Sequence, residues 1–252
     1  DMDFLTLTTT CCQIDIDKLF EHGFSTGHVF LRSPNDIQTY SAFACIAIQS
    51  NQNDQHGGQS IPHFEYAMAK GVRKTYARKY RDNLAKLFDL NGEFKDVNKI
   101  AYDLIKKVKE EYSLVPIYEN NNDYQKKEAK LLKEYFDADT VKKIQHFAAK
   151  YAKKETERAT YQAMEALIHN LNTMHSRAGA QIPFSSLNYG MDTSPEGRLV
   201  MEKILLATES GLGNGETPIF PIQIFKVKEG INYNPEDPNY DLFKLACRVS
   251  AK

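Results

Sequence analysis

The sequence predicts an α/β protein with a largely parallel sheet and a helical insertion. Segments rich in β-branched residues alternate with amphipathic helical patterns, which is the order that parallel sheets require. A charged block of helical patterns interrupts this alternation in the middle of the chain. With 252 residues, of which 42% are hydrophobic, the chain can bury one large core or two modest ones.

The first part of the chain combines a strand pattern with two adjacent cysteines. Residues 4–16 are rich in apolar and β-branched side chains, and this stretch contains Cys11 and Cys12. A helix is predicted to start at Ser33, because a capping serine there precedes Pro34 at the first helical position. Apolar residues then recur at helical spacing for about three turns.

The middle block is basic and helical. Between Arg73 and Arg158 the chain has 21 Lys and Arg against 15 Asp and Glu, so this block carries +6 and the remainder −7. Apolar stripes beneath solvated charged faces explain the pattern without a ligand. A subunit interface or a regulatory nucleotide site in the same block remains the alternative. Within this block, Asp139 is predicted to cap a helix. After the block, a separate helix is predicted over 161–175.

The last part returns to alternating strands and helices. The segment IPFSSLNYG reads as a strand, and Ser194 with Pro195 begins a helix. TPIFPIQIFKV reads as the next strand, and Asp237 with Pro238 opens a final helix. Only three strands are clear from the whole pattern, so we expect more sheet in the full-length protein. The predicted segments are therefore 1–72, 73–158 and a truncated 159–252.

Composition excludes several classes of function. The net charge of −1 argues against general nucleic-acid binding, which needs a clustered cationic surface. No apolar run has the length of a membrane span, and the start lacks the features of a signal peptide. The four cysteines include no CxxC spacing, so we expect no metal site and free thiols in a reducing cytoplasm.

The glycine-rich run GLGNGE is predicted to end a helix and not to bind a nucleotide. Phosphate-binding glycines follow a strand and open a helix, so that helix amides point at the phosphate. Here Gly211, Gly213 and Gly215 follow a helix and precede a strand. A helix cap with a tight turn explains them better.

Two polar segments and the cysteine pair are the candidate sites. SNQNDQHGGQS is either solvated or part of a hydrogen-bonded site. In SRAGAQIPFSS the side chains of Ser176, Gln181 and Ser185 suit ribose or phosphate recognition, but an ordinary loop and a strand with one polar face explain them equally well. Buried cysteines are usually inert, and neighbouring strand residues face opposite ways, so only one of Cys11 and Cys12 can face a given cavity.

Three ordered motifs resemble the anaerobic (class III, glycyl-radical) ribonucleotide reductase family. They are CCQIDIDKLF, HGGQSIP, and NLNTMHSRAGAQIPFSSLNYG followed by NGETPIFP. The resemblance spans nearly the whole chain except the middle block. It implies part of a ten-stranded α/β barrel that reduces ribonucleoside triphosphates. We weighed two other classes: a stand-alone helical binding module, and a formate-lyase relative that shares the barrel.

The resemblance also implies roles for residues of this chain. A first-strand cysteine serves the family as hydrogen or proton donor at the ribose 2′ side, and alignment places that role on Cys11, with Cys12 one residue away. Ser176, Gln181, Ser185 and Asn214 would bind substrate. The radical-bearing finger-loop cysteine that takes the 3′ hydrogen has no counterpart here.

The family's remaining components would lie outside this chain. These are the glycyl radical and a four-cysteine zinc site, so no cofactor is expected within the chain. The resemblance further implies dNTP or ATP effectors, formate or a dithiol as reductant, a radical-SAM activating enzyme and a homodimer. The chain alone is therefore expected to be inactive.

Overall fold

The structure is a computed structural model that describes residues 11–55, 57–175 and 181–252. Strands and helices alternate along it, as an α/β protein requires. In chain order the elements are β1 (Cys12–Gln13), α1 (Ile16–His22), β2 (Phe24–Ser25), β3 (Phe30–Leu31), α2 (Ile37–Asp54), β4 (Gln59–Ile61), α3 (Phe64–Asn91), α4 (Val97–Tyr112), α5 (Asn122–Leu132), α6 (Ala138–Thr173), β5 (Ser185–Tyr189), α7 (Pro195–Ser210), β6 (Ile222–Phe225) and α8 (Tyr240–Ser250).

The chain divides into two compact units. The first contains the described residues up to Gly71 together with those from Ala159 onward, and the second contains Val72–Arg158. The first unit holds the sheet, whereas the second consists of helices and their connections. Within the described residues, none of the helices combines the length and apolarity needed to cross a membrane.

The sheet of the first unit has the order β1-β4-β5-β6, and all of its neighbouring strands are parallel. This confirms the predicted α/β class with parallel strands. Strand β4 was not predicted, because three residues after Gly57 and Gly58 are too few to show a two-residue period. The short antiparallel pair β2–β3 was missed for the same reason.

The two faces of this sheet have different surroundings. On one face the side chains are buried beneath helices, as shown by the fully buried Ile61, Leu187 and Tyr189. On the other face Ile222 and Ile224 are 56% and 46% exposed, although isoleucine normally lies in a core. We call the second side the open face.

Two helix starts differ from the sequence prediction. Helix α2 is capped by Asp36 and not by Ser33, since the carboxylate of Asp36 accepts hydrogen bonds from the backbone N–H and hydroxyl of Thr39. Likewise, Asp137 and not Asp139 accepts from the first N–H groups of α6. An N-cap must lie two or three residues before the N–H that it binds, which sequence alone places only approximately.

Helix α6 is one continuous helix, so the prediction of a separate helix over 161–175 was wrong. Neither glycine nor proline occurs between Ala138 and Thr173, so nothing in the backbone chemistry ends the helix. Its buried stripe continues through small residues, including Ala152 and Thr156, which apolar periodicity does not detect. The hydroxyl of Thr156 is satisfied by donating to the carbonyl of Ala152. The final helix likewise begins at Tyr240, three residues later than expected.

The second unit is organised around one buried carboxylate. Glu128 is fully buried and accepts hydrogen bonds from the hydroxyls of Tyr80 (2.7 Å) and Tyr124 (3.0 Å). The side-chain amide of Gln145 donates a third bond, at 2.9 Å. These donors lie on α3, α5 and α6, so the carboxylate joins three helices. Burial raises the pKa of Glu128, while the hydrogen bonds from its three neutral partners act in the opposite direction.

Glu128 should therefore make the second unit less stable as pH rises. A carboxyl whose folded pKa is raised contributes stability that is fully present below its unfolded pKa and is lost as pH passes the folded pKa. We expect Glu128→Gln, which cannot ionise, to gain stability relative to the unmodified chain as pH increases from 5 to 8. Urea unfolding at several pH values measures this difference. The exposed Glu134→Gln is the control, and a pH-independent difference for Glu128→Gln would contradict the prediction.

The carboxyl end of β5 packs directly against the backbone of β6. Gly190 has φ +128°, and a Cβ at this position would lie 2.5 Å from the carbonyl oxygen of Lys226. The backbone N–H of Lys226 donates to the carbonyl of Tyr189 at 2.7 Å, which continues the pairing of the two strands. Only glycine permits both this conformation and this approach.

Replacing Gly190 by alanine should destabilise the first unit. The added Cβ would meet backbone that cannot move without breaking strand pairing, and its φ is strained for any other residue. We expect a loss of roughly 2 to 4 kcal/mol in the free energy of unfolding. Urea unfolding followed by circular dichroism measures it. Gly213→Ala, where an added Cβ meets no atom of the described residues within 4 Å, should change little. Equal effects of the two substitutions would contradict the explanation.

Candidate active site

A stripe of neutral polar side chains crosses the open face. Parallel register aligns Gln13 with Ser60, Ser60 with Ser186, and Ser186 with Ile222. Asn188 lies two residues beyond Ser186, hence on the same face, and its Oδ1 accepts a 3.5 Å hydrogen bond from the hydroxyl of Ser60. We call Gln13, Ser60, Ser186 and Asn188 the polar stripe. Gln13 is exposed and the other three are half-buried, so a ligand on this face can reach them.

The two adjacent cysteines lie at the amino end of β1. Cys11 is exposed and directly precedes the strand, whereas Cys12 is half-buried and pairs in register with Gln59. Cys12 pairs with the buried Gln59 and therefore shares its helix-facing side. Because strand side chains alternate, Cys11, two residues before Gln13, is expected on the side of Gln13. This alternation associates Cys11 with the polar stripe.

Cys12 lines a cavity of about 500 Å³ that is bounded by β1, α1, β2 with the turn after it, and the end of α2. Other lining residues include Lys18, Phe24, Asn51 and Asp54. Cys12 therefore lies against this cavity, which Gln13 also lines, whereas Cys11 is exposed before the strand.

A buried glutamate fixes the carboxyl end of β5. Glu65, in the first turn of α3, accepts through Oε1 from the backbone N–H groups of Gly190 (3.1 Å), Met191 (2.9 Å) and Asp192 (3.4 Å). Its other oxygen, Oε2, is buried and has no hydrogen-bond partner among the described residues. Burial raises the pKa of Glu65, while the amides of Met191 and Asp192 and the charge of Lys226 act in the opposite direction. The hydrogen bonds from Gly190, Met191 and Asp192 to Glu65 hold the loop that follows β5, and so position Asn188 at one end of the polar stripe.

The structure places the residues that were predicted from the sequence to bind substrate in different environments. Ser185 is 3% exposed on the helix-facing side, and its buried hydroxyl has no hydrogen-bond partner in the part of the chain that the structure describes. Gln181 is half-buried and precedes β5. Asn214 is exposed in the turn after α7, where it donates to the carboxylate of Glu216 at 3.0 Å. Ser176 lies outside the described residues. Substrate binding by all four stays a prediction.

The turn containing Asn214 has the predicted geometry of a helix end. Gly211 caps α7 with φ +76°, and its N–H donates to the carbonyl of Thr208. The N–H of Leu212 then donates to the carbonyl of Glu216, which closes a tight turn before β6. The helix-end interpretation of GLGNGE is confirmed.

Sequence reasoning missed Gln13, Ser60 and Asn188 as site residues. Ser186 and Asn188 stand two apart in the strand pattern, and Gln13 stands two after Cys11, so the period of a strand could have grouped each pair. Ser60 could not be grouped, because its strand was not recognised. Only the register between strands brings these residues into one stripe.

The open face suits a ligand with neutral hydroxyl groups. Amides and hydroxyls both donate and accept hydrogen bonds, and together they match a sugar better than a bare ion. Among the described residues, no three His, Cys, Asp or Glu side chains are grouped as a metal site would require. The chemistry available is thus hydrogen bonding along the polar stripe and thiol chemistry at its Cys11 end.

Fold and site together define a class of α/β protein. In this class, a parallel sheet carries hydrogen-bonding side chains on one face and a thiol at the end of one strand. Comparison with known families is more specific. Residues 1–252 match the family described as anaerobic ribonucleoside-triphosphate reductase, and the chain belongs to this family.

Individual relatives agree with this assignment. The chain is 26% identical over 245 residues to the anaerobic ribonucleoside-triphosphate reductase of Enterobacteria phage T4, which covers 97% of this chain and 31% of the phage protein. It is also 26% identical over 243 residues to the proteins of that name from Escherichia coli and Salmonella typhimurium, covering 96% of this chain and 26% of each relative. The chain thus spans about a quarter to a third of the length of these relatives.

Cysteine alkylation should follow the environments of the thiols. The reactive species is the thiolate, and burial raises the pKa of Cys45 to about 12. Cys11 and Cys247 are exposed. We expect iodoacetamide at pH 8 to modify these two at least ~100-fold faster than Cys45. Peptide mass spectrometry over time measures the rates, with urea-unfolded chain as the control. Rapid alkylation of Cys45 in the folded chain would contradict its burial.

Proposed function

We propose that this chain forms one wall of the catalytic barrel of an anaerobic ribonucleotide reductase. The whole protein would reduce ribonucleoside triphosphates to 2′-deoxyribonucleoside triphosphates for DNA synthesis. The observation that carries the proposal is the association of Cys11 with the polar stripe on the open face, in a chain that belongs to the reductase family.

The form of the sheet supports its place in a larger barrel. Strands β1 and β6 are its two edges, and β6 exposes Ile222 and Ile224 on the open face. Exposed apolar side chains on an edge strand are unfavourable unless further structure covers them. In our proposal additional strands pair with these edges and complete a ten-stranded α/β barrel, whose interior is the open face. The helices of 72–158 are then an insertion outside the strand order.

Within that barrel, the residues of this chain would have different roles at the ribose. The polar stripe would hold the sugar by hydrogen bonds to its hydroxyls. Cys11 would donate a proton to the 2′ hydroxyl, which leaves as water, or hydrogen to the 2′ carbon. Cys12, on the other side of the strand, would not reach the ribose.

The remaining components belong to the proposal by membership of the family. A glycyl radical generated by a radical-SAM activating enzyme would supply the oxidising chemistry through a finger-loop cysteine. Formate or a dithiol would supply the reducing electrons. A structural zinc site, dNTP and ATP effectors, and a homodimer would complete the enzyme, and this chain alone would be inactive.

Substituting each cysteine in the full-length reductase tests the proposal. We expect Cys11→Ser to lower deoxyribonucleotide formation by roughly a thousandfold or more, because serine cannot replace the thiol as donor. The glycyl radical signal in electron paramagnetic resonance should persist after anaerobic activation. Cys12→Ser is the matched control and should retain activity.

The reverse result, with Cys12→Ser inactive and Cys11→Ser active, would show that the strand faces the barrel in the other register. If the unmodified full-length protein forms neither a glycyl radical nor deoxyribonucleotides under anaerobic conditions, the proposed function is wrong.

A further inference from the structure

An ammonium group stands at the far end of the open face. Lys226 directly follows β6 and stands two residues after Ile224 and four after Ile222. Because strand side chains alternate, its side chain is on the open face with theirs. Its Nζ lies 2.6 Å from the carbonyl oxygen of Pro62, at the end of β4. Gly190 lies between β4 and β6 at this level and has no side chain, so the lysine can extend across the end of β5.

The charge of Lys226 is not neutralised by direct contact. Besides Pro62, the neighbour of its Nζ is Nδ1 of the exposed His63, at 3.4 Å. Within the described residues Lys226 forms no salt bridge. The carboxylate of the buried Glu65 acts on Lys226 as an opposite charge, but no contact between the two groups is short enough to be a salt bridge. An ammonium donates three hydrogen bonds, so this one can still bind an anion.

The charged group and the thiol lie at opposite ends of the polar stripe. The N–H of Cys12 donates to the carbonyl of Gly58, which places Cys11 near the start of β4, while the ammonium contacts Pro62 after its end. Four residues of strand separate these two levels, or about 13 Å. A ligand on this face therefore meets a thiol, then neutral hydrogen-bonding groups, then a cation. That order matches a nucleotide whose sugar lies at the stripe and whose phosphates extend toward the carboxyl end of the sheet.

We infer that Lys226 binds the phosphates of the nucleoside triphosphate and so selects a charged nucleotide over a nucleoside. This inference rests on the proposed function, which requires such a substrate but leaves its phosphate contacts unassigned. Lysine suits the role because its compact charge binds phosphate oxygens through strong, charge-assisted hydrogen bonds.

Nucleotide binding to the full-length reductase, without radical activation, tests the inference. Isothermal titration calorimetry would compare CTP with uncharged cytidine. We expect Lys226→Gln to weaken CTP binding by about tenfold or more, since a hydrogen bond to a charged group is lost. Cytidine binding should stay within about twofold, because the ribose contacts remain. Lys226→Arg should restore most of the affinity for CTP.

Lys228→Gln is the matched control. It removes the same charge two residues further along, from an exposed side chain, and should leave CTP binding unchanged. The inference is overturned if Lys226→Gln binds CTP as well as the unmodified protein does. It is also overturned if CTP and cytidine are weakened equally, because that pattern indicates a structural role. Failure of the unmodified protein to bind CTP would overturn the proposed function together with the inference.

Discussion

The close approach of Gly190 to the backbone of Lys226 is the constraint on which the proposed site depends. Glu65 secures it by accepting hydrogen bonds from three consecutive backbone amides that begin at Gly190. The contact aligns the carboxyl ends of β5 and β6, and thereby sets the positions of Asn188 and of the lysine ammonium. Without a side chain at residue 190, that ammonium can reach the carbonyl of Pro62, which directly follows β4. One glycine thus serves strand pairing and the charge distribution of the open face.

Both units bury a carboxylate among neutral donors. Glu65 relies on backbone amides, and Glu128 relies on hydroxyls and a side-chain amide. Hydrogen bonds hold each carboxylate in place, and in each case burial raises the pKa of the carboxyl. Each carboxylate joins segments far apart in sequence: Glu65 joins α3 to the end of β5, and Glu128 joins three helices. Directional hydrogen bonds of this kind specify geometry more strictly than apolar contacts can.

Apolar periodicity located the longer elements but not the shortest ones. The α/β class, the approximate positions of α2 and α7 and the turn at Gly211 could be predicted, because caps and helical spacing are local signals. Strand β4 was not predicted, since three residues are too few to show a two-residue period. The hydrogen bond between Ser60 and Asn188 therefore could not be predicted either. The continuity of α6 was missed because its stripe passes through small residues such as Ala152.

The sequence by itself determined that the chain alternates strands and helices and that its motifs resemble one enzyme family. It also predicted that only one of two adjacent cysteines can face a given cavity, because neighbouring residues of a strand face opposite ways. These features depend on residue identity and short spacings. Only the tertiary structure decided which side chains share the open face. The register of four parallel strands aligned Gln13 with Ser60 and joined Ser60 to Asn188. Register follows from long-range packing, in which a shift of one residue reverses every face, so no local pattern could have fixed it.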